Sequence, residues 1–246
     1  MKNKLFVIGV GPGKIDNMSV RAYKCIQKCE VLVGYTVYLD QVKELCEHKR
    51  VITRGMGQEI ERCRLAIEES LKGNMTGILC SGDASLYGMA GLTYELLINM
   101  ELFDKIDIEV IPGITAAISS SSLLGAPIVE DFCTISLSDY MVSWEKILYR
   151  LEKAAEADFV IAIYNPKSKA RPDHLREAIK CIEKYKNGTT FVGVVRNAYR
   201  EDEQITITEL NKLDYDAVDM FCTLIIGNSS TYIHEGKMIT RRGYSL

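Results

Sequence analysis

The chain has 246 residues, and at about 150 residues per domain this length corresponds to one or two domains. Hydrophobic residues make up 47% and charged residues 26%, a balance typical of globular proteins that excludes disorder as a description of the whole chain. The formal net charge is −3 and the pI is about 5.8, the opposite of what a protein that binds nucleic acid through a basic surface normally shows. We therefore expect no nucleic-acid partner.

The apolar runs are all far shorter than the roughly 18 residues that a membrane-spanning helix needs. The basic start of the chain is followed by an apolar run over residues 5–10, an order that also occurs in signal peptides. Here the run is short and continues into Gly-Pro-Gly without a small-residue cleavage site. We expect a first strand at this place, no membrane association and a cytoplasmic protein.

Strand and helix patterns alternate along the first half of the chain. The predicted strands cover residues 4–10, 31–34, 51–53, 76–80 and 106–111, and the predicted helices cover residues 19–29, 58–72 and 89–99. This alternation is typical of βαβ units around a mainly parallel sheet.

Pro112 and Gly113 interrupt the pattern, and a helix of small residues is predicted at 114–124. Further strands are predicted at 132–137, 159–164, 190–195, 204–208, 222–226 and 238–240, and further helices at 144–156 and 173–185. The consecutive strands at the end indicate a mixed second sheet. The predicted fold is therefore an α/β protein with two α/β domains, residues 1–113 and 114–246, and a hinge near residues 112–115.

A glycine-rich segment, Gly-Val-Gly-Pro-Gly at residues 9–13, follows the first predicted strand. Glycines at such a place let the backbone pass close to a ligand. A dinucleotide fingerprint is not met, because Lys14 stands where the third glycine belongs and the end of the second strand holds Gly34 and Tyr35 in place of the expected acid. A phosphate-binding loop is not met either, because Ile15 follows Lys14. A tight turn without a ligand is the alternative.

Two more strand ends carry small residues: Ser81-Gly82-Asp83, and Pro-Gly-Ile-Thr-Ala-Ala at residues 112–117. The acid could bind an amine or sugar hydroxyls, or it could cap the next helix. The second segment could offer free backbone N–H groups or form a packed turn between domains. Together the three strand ends predict a ligand crevice between the domains more strongly than any one of them does.

A basic loop with Lys167, Lys169 and Arg171 follows the predicted strand at 159–164. Such a charge run is usually solvated surface. The alternative is recognition of several carboxylates or phosphates, which requires these cations to converge on one cleft. Other arginines that could join them are Arg54, Arg62, Arg64, Arg196 and Arg200.

The chain has eight cysteines and three histidines. No Cys-x-x-Cys spacing occurs, and the one conceivable metal cluster combines Cys25, Cys29 and Cys46 with His48. Free cysteines more often fill cores as small hydrophobic residues. We expect no metal site, and no motif supports hydrolysis or metal catalysis.

The order of these motifs resembles the tetrapyrrole methylases, a family of S-adenosylmethionine (SAM) dependent methyltransferases. The resemblance covers nearly the whole chain, from the segment 9–13 through Ser81–Asp83 and 112–116 to Val-Arg-Asn-Ala at 195–198. Within the family, Gly-Met-Gly-Gln-Glu at 55–59, Leu-Ser-Asp at 137–139 and the loop 164–171 resemble the C17-methyltransferases of cobalamin biosynthesis. Those enzymes methylate precorrin-3B or cobalt-precorrin-3 at C17 and contract the macrocycle.

The resemblance implies a cofactor cleft between two α/β domains, a homodimer, and a carboxylate-rich tetrapyrrole as substrate. It implies SAM contacts from residues at the three strand ends, the linker and the second domain: Pro12, Gly82, Asp83, Leu86, Thr115, Ala116, Asn165 and Ala198. Substrate contacts would come from Gln58, Lys167, Lys169 and Arg171. On this reading, replacing Asp83 by alanine removes SAM binding and leaves the fold intact.

Ring contraction also needs proton transfer, for which Tyr35 and Asp139 are the sequence-based candidates. Each also has a structural interpretation, as a packed aromatic at a strand end and as a helix cap. Uroporphyrinogen-methylating relatives tend to have an acid where this chain has Tyr35, so that residue's role cannot be transferred. Three alternatives remain: another precorrin methylase, a methylase that acts on a protein, and a tetrapyrrole carrier without turnover.

Overall fold

The computed structural model describes residues 3–245, and the chain divides into two compact units, Met1–Thr115 and Ala116–Leu246. The first unit holds a five-stranded sheet in the order β3-β2-β4-β1-β5, with every neighbouring pair parallel. Its elements in chain order are β1 (Asn3–Gly9), α1 (Val20–Lys28), β2 (Val31–Tyr35), α2 (Thr36–Asp40), α3 (Lys43–Cys46), β3 (Arg50–Arg54), α4 (Glu59–Leu71), β4 (Thr76–Cys80), α5 (Ala90–Asn99) and β5 (Ile106–Ile111).

Helices cover both faces of this sheet, which explains why its central strands are apolar without alternation. On one face, Leu5 and Val7 of β1 pack in the same core as residues of α4 and α5. On the other face, Phe6 and Ile8 share a core with α1 and with Leu39 of α2. Helix α1 begins after Ser19, whose hydroxyl accepts a hydrogen bond from the Ala22 N–H at 3.1 Å.

The strand order places a topological switch point between β1 and β4. The chain leaves β1 through α1 on one face toward β2, and it leaves β4 through α5 on the other face toward β5. In open α/β sheets the crevice at the carboxyl ends of two such strands is where ligands bind. The loops that begin after Gly9 and Cys80 therefore lie at the place that the topology favours for a site.

The second unit has a mixed five-stranded sheet in the order β10-β9-β11-β8-β7 and a three-stranded sheet in the order β12-β13-β6. Its elements are α6 (Ala116–Leu124), β6 (Gly125–Ala126), β7 (Phe132–Ser136), α7 (Trp144–Glu156), β8 (Val160–Tyr164), α8 (His174–Ile182), β9 (Phe191–Arg196), β10 (Gln204–Glu209), β11 (Cys222–Ile226), β12 (Thr231–His234) and β13 (Lys237–Thr240). Strands β7, β8 and β9 run in the same direction, because β11 pairs antiparallel with both β8 and β9. Their carboxyl ends therefore lie along one edge of the sheet.

Helices α7 and α8 cover one face of this mixed sheet, and α6 covers the other face. Ile147 of α7 and Ile179 of α8 belong to the larger core. Leu124 of α6 packs on the other face with Val195 of β9 and Met238 of β13. Both α7 and α8 are amphipathic, so each buries one apolar stripe and exposes a polar side.

The predicted alternation of strands and helices is confirmed, and the main differences are short elements. Helices α2 and α3 and strands β6 and β12 were not predicted, because runs of two to five residues carry too little periodicity to detect. The predicted helix at 173–185 ends three residues earlier, at Ile182, and the one at 114–124 begins at Ala116. None of the helices within residues 3–245 combines the length and apolar character that crossing a bilayer requires.

One glycine substitution at the contact of α6 with β9, and one in α5 as a control, test this packing. A Cβ on Gly193 of β9 would lie 2.4 Å from Leu124 Cδ1, so G193A overpacks this contact and should lower the free energy of unfolding by about 1–3 kcal/mol. A Cβ on Gly91 in α5 meets no atom of residues 3–245 within 4 Å, so G91A should raise it by roughly 0.5–1 kcal/mol. Urea unfolding measures both, and equal shifts for the two variants would contradict the packing described here.

Candidate functional site

Three loops of the first unit meet at the carboxyl ends of β1, β4 and β5. Gly11 and Gly82 exchange backbone hydrogen bonds of 3.0 and 2.8 Å, which joins the loop after β1 to the loop after β4. The Val10 N–H also donates to the Cys80 carbonyl at 2.9 Å. The loop after β5 joins through Gly113, whose N–H donates to Asp83 Oδ2 at 3.0 Å. We call this arrangement of residues 9–13, 81–86 and 112–115 the loop junction.

The junction is so tight that only glycine fits at its centre. A Cβ on Gly9 would lie 2.7 Å from both the Gly113 nitrogen and the Gly82 oxygen. A Cβ on Gly113 would lie 2.1 Å from the same Gly82 oxygen. The atoms that a Cβ would meet belong to the backbone and cannot rotate away. The glycines of the three motifs are therefore needed for the loops to contact one another.

Asp83 is the polar centre of the loop junction. Its Oδ1 accepts hydrogen bonds from the Ser85 and Leu86 N–H groups at 2.8 and 3.0 Å, while Oδ2 accepts the one from Gly113. Burial raises the pKa of this carboxyl, but the hydrogen bonds from the backbone of Gly113, Leu86, Ser85 and Ala84 outweigh burial and the pKa is lowered. Asp83 is therefore an anion that braces two loops. It does not cap the next helix, because α5 begins at Ala90 after Met89 and has no side-chain cap.

The remaining surface of the loop junction is nearly free of charge. Among residues 9–13, 81–86 and 112–115, Asp83 has the only ionisable side chain. Pro12 is buried, and Leu86 and Thr115 are half-buried. Ala116, the other predicted contact of the linker, opens α6 in the second unit. A junction with one anion and no cation suits a neutral or cationic ligand better than a phosphate.

The loop after β3, residues 55–58, is held in place by side chains of Gln58 and Arg62. Gln58 accepts a hydrogen bond from the Gly55 N–H at 2.8 Å, so this predicted substrate residue also closes a turn. The Arg62 guanidinium donates to the Gly55 carbonyl and, at 2.7 Å, to Glu59 Oε1. Arg62 is buried, so its cation serves the loop and is not displayed to a ligand.

Tyr35 ends β2 at the same edge of the first sheet and immediately precedes α2. Its ring meets the Tyr38 ring edge to face, with centroids 5.2 Å apart. The side chain is half-buried. This geometry agrees with the packed-aromatic interpretation, and the contacts among residues 3–245 give Tyr35 no proton-transfer role.

At the carboxyl edge of the second sheet, two asparagines adopt the left-handed conformation that asparagine tolerates best among larger residues. Asn165, after β8, has φ 50°, and its side chain donates to Ser136 Oγ at 2.9 Å. Asn197, after β9, has φ 51° and donates to Asp202 Oδ2 at 2.7 Å. Ala198 follows and packs against the core beneath α6. Strained backbone of this kind concentrates at functional sites.

Arg196 holds the segment after β9. Its guanidinium donates from Nε to Asp219 Oδ2 and from Nη1 to Asp202 Oδ2, both at 3.0 Å. These carboxylates raise the pKa of Arg196 further above its usual range. Arg196 therefore braces a loop, as Arg62 does. Arg54 also has a carboxylate partner inside the chain, because it pairs with Glu61.

The basic loop contains two restrained cations and one exposed cation. Lys167 donates to the Tyr215 carbonyl at 2.8 Å, and Arg171 donates from Nε to Ser168 Oγ at 3.1 Å. The Arg171 Nη1 atom is buried, makes no hydrogen bond within residues 3–245, and lies 3.7 Å from Asp139 Oδ1. Lys169 is exposed to solvent. Contacts within the chain therefore hold Lys167 and Arg171, whereas Lys169 is displayed to solvent.

Asp139 has a partner that sequence reasoning missed. His174 Nε2 lies 3.1 Å from Asp139 Oδ2, and the Trp144 ring covers the imidazole with centroids 4.1 Å apart. The hydrogen bond from His174, followed by the nearby charges of His174 and Arg171, lowers the pKa of Asp139 despite some desolvation. The two residues are 35 positions apart, so no local spacing could have predicted this pair.

The cysteines belong to the interior or its margin. All eight are free thiols, and burial raises the pKa of Cys80 and of Cys29 to about 12. Cys25 of α1 and Cys29 at its end belong to the core under this helix, with Cys46 at the margin of the same core. Within residues 3–245, no group of three or more His, Cys, Asp or Glu side chains is arranged to hold a metal ion.

The family model of the Tetrapyrrole (Corrin/Porphyrin) Methylases matches residues 4–214, and the chain belongs to this family. A solved structure of the methyltransferase CobJ superposes with a TM-score of 0.93 at 27% identity, covering 97% of this chain and 100% of that one. The cobalt precorrin-4 methyltransferase CbiF superposes with a TM-score of 0.75 at 21% identity, covering 91% and 94% of the two chains, a similarity of fold alone.

Two curated relatives narrow the comparison within the family. A probable cobalt-factor III C(17)-methyltransferase of Salmonella typhimurium is 46% identical over 98% of this chain and 100% of its own length. The cobalt-factor III methyltransferase of Priestia megaterium is 43% identical over 99% of this chain. The matched part is 46% of the Priestia protein, so this chain spans less than half of that relative.

The brace at Asp83 can be tested by its pH dependence. D83N replaces one acceptor oxygen by an NH₂ group facing the Gly113 N–H, and it should cost roughly 1–2 kcal/mol at pH 7, or about 2–8 °C in the unfolding midpoint. Because the folded pKa of Asp83 is depressed, its stabilisation is present above the unfolded pKa of about 4 and is lost as the pH falls through the folded pKa.

The midpoint difference between wild type and D83N should therefore shrink below about pH 4. Asp104 is exposed in the loop before β5, and D104N is the matched control that should melt like wild type at every pH. A difference for D83N that stays constant from pH 7 down to pH 3 would contradict the brace.

Proposed function

We propose that this chain is a SAM-dependent methyltransferase that methylates C17 of a cobalamin precursor of the cobalt-factor III or precorrin-3B type, with contraction of the ring. The observation that carries the proposal is the full-length match to the Salmonella typhimurium relative. A precorrin-3B C(17)-methyltransferase of Sinorhizobium sp is also 34% identical over 96% of this chain and 92% of its own length. The other precorrin methylases share the fold at lower identity.

The loop junction has the chemistry that SAM requires. When bound, SAM supplies a methyl group on a positively charged sulfonium, which is itself a good leaving group. The ionised carboxylate of Asp83 gives the junction a negative potential, and no cation within the three loops opposes a sulfonium. The site lies at the switch point of the sheet, where the crevice outside β1 and β4 accepts ligands.

The task of the first unit in this proposal is alignment. The backbone of Gly11 and Gly82 is fixed by two mutual hydrogen bonds, and Asp83 ties the third loop to them. Rigid loops hold the donor in one orientation, and good alignment of reacting groups can lower a barrier by about 7–11 kcal/mol. In the proposal Pro12, Leu86 and Thr115 pack against the same ligand.

The proposed macrocycle carries many carboxylates on a flat apolar ring. In the second unit, the exposed Lys169 and the half-buried Arg171 are the proposed carboxylate donors. Tyr140 and Met141, in the loop after β7, are 81% and 84% exposed and could pack on a ring. Lys167 contributes less directly, because its ammonium already binds the Tyr215 carbonyl.

The proposal extends to a cytoplasmic homodimer, which rests on the family resemblance. The chain has a mass of 27.6 kDa, so light scattering of the purified protein should give about twice that value. A monomer at working concentration would contradict this part of the proposal and leave the enzymatic part standing.

Activity is tested in three separate incubations of the protein with methyl-labelled SAM. Each contains one macrocycle: cobalt-factor III, cobalt-precorrin-3 or precorrin-3B. We expect label in the macrocycle, a product one methyl group heavier, and a spectrum that shows contraction. Label in a different precorrin would move the chain to another step of the pathway. Tight macrocycle binding without label would identify a carrier and contradict the proposed activity.

The contribution of Asp83 to the donor site is tested by D83A. Loss of the carboxylate removes the brace that fixes the loop junction, so the affinity for S-adenosylhomocysteine should fall at least about tenfold, or roughly 1.4 kcal/mol. Calorimetric titration measures this affinity, with D104A as the matched control at the opposite end of the sheet. Unchanged affinity in a folded D83A protein would remove Asp83 from the cofactor site.

A further inference from the structure

The His174 imidazole is held more firmly than a surface histidine needs to be. It is the first residue of α8, its Nε2 faces Asp139 Oδ2 at 3.1 Å, and the indole of Trp144 lies against its ring. The indole is itself fixed, because Trp144 Nε1 donates to Glu177 Oε2 at 2.7 Å. The side chain still has 18% exposure, so one part of the ring is open to solvent or a ligand.

The contact with Asp139 determines which ring nitrogen is available. An ionised carboxylate only accepts hydrogen bonds, so Nε2 must carry the proton that is shared with Asp139. In the neutral ring the lone pair then belongs to Nδ1. Within residues 3–245, no hydrogen bond to Nδ1 is formed. The ring is thus a preoriented base with its acceptor nitrogen unused.

Charged groups of both signs surround His174. Asp139 lies against the ring on one side, and Arg171 Nη1 lies 3.7 Å from Asp139 Oδ1. On α8 itself, the Glu177 carboxylate accepts the hydrogen bond of the Trp144 indole, and Asp173 directly precedes His174. Asp139 is therefore the carboxylate that holds the imidazole.

The pair also stands where the proposed substrate would bind. Asp139 lies in the loop after β7, and Arg171 and His174 follow β8, at the sheet edge where Asn165 adopts its left-handed turn. Exposed Tyr140 follows Asp139 directly. A base, a cation and an exposed aromatic ring thus share one edge.

We propose that His174 is the proton-accepting catalytic residue of this enzyme and that Asp139 is its positioning residue. The inference rests on the proposed function, because the proton comes from the bound macrocycle. An N–H bond forms at Nδ1 as a C–H or O–H bond of the macrocycle breaks, and the bonding pair stays on the macrocycle. The imidazolium keeps its Nε2 proton, which stays hydrogen-bonded to Asp139, and later releases the Nδ1 proton to solvent. No oxidant or reductant takes part.

Replacing His174 by glutamine separates catalysis from structure. The amide of glutamine can still donate a hydrogen bond to Asp139, but it cannot accept a proton at neutral pH. H174Q should lower kcat at least about 100-fold on the macrocycle that the wild type methylates, with KM for macrocycle and SAM within about threefold. Its unfolding midpoint and affinity for S-adenosylhomocysteine should match the wild type. H234Q, at an exposed histidine of β12, is the matched control with full activity.

Two further variants guard against a purely structural explanation. In H174A, added imidazole should restore several-fold activity, because a free base can enter the vacated space. D139N should lower kcat about 10- to 100-fold, because an asparagine amide can donate to Nε2 and favour the wrong tautomer. Activity of H174Q within threefold of wild type would overturn the inference, as would a loss accompanied by equal losses in folding or cofactor affinity. A wild-type chain that methylates none of the macrocycles would overturn the proposed function and this inference together.

Discussion

The carboxylate of Asp83 is the interaction on which the arrangement of the first unit depends. It accepts backbone hydrogen bonds from its own loop and from Gly113, so one side chain joins the ends of β4 and β5. The Gly11–Gly82 pair then joins the end of β1 to the same point. Because β1 and β4 border the switch point, this brace ties three loops into one surface at the place where the fold can hold a ligand.

Two other loops are braced by a buried or paired arginine in place of a carboxylate. In the second unit Arg196 holds the turn after β9 through two carboxylates, and in the first unit the buried Arg62 holds the loop after β3. Cations that look like substrate ligands in the sequence therefore divide into two groups. Some, including Arg62, Arg196 and Arg171, are held by partners inside the chain, whereas Lys169 is exposed to solvent and available to an anion.

Most of the fold could be predicted from the sequence, because long apolar strands and amphipathic helices leave clear periodic signals. Thr76–Cys80, Ile106–Ile111 and Trp144–Glu156 have the predicted bounds. Helices α2 and α3 escaped prediction because a single turn stabilised by tertiary packing has no period of its own. The three glycine-containing strand ends were also identified, because parallel strands bring their carboxyl ends to one edge.

The roles of individual polar side chains could not be predicted in the same way. The use of Arg62 as a brace and the pairing of His174 with Asp139 depend on side-chain directions and on distant loops meeting in space. A sequence shows that Asp139 is acidic but not which base it faces. The resemblance to a family indicated the methyl donor and the class of substrate. Only the contacts in the structure distinguish side chains that hold loops from side chains that are available to a ligand.

Crystallisation with S-adenosylhomocysteine is the most direct test of the central claim. The account predicts electron density for the ligand against residues 9–13 and 81–86, with the Asp83 hydrogen bonds to Ser85, Leu86 and Gly113 intact. Density for the ligand at any other place in the chain, or a loop junction that has to open to admit it, would contradict the account.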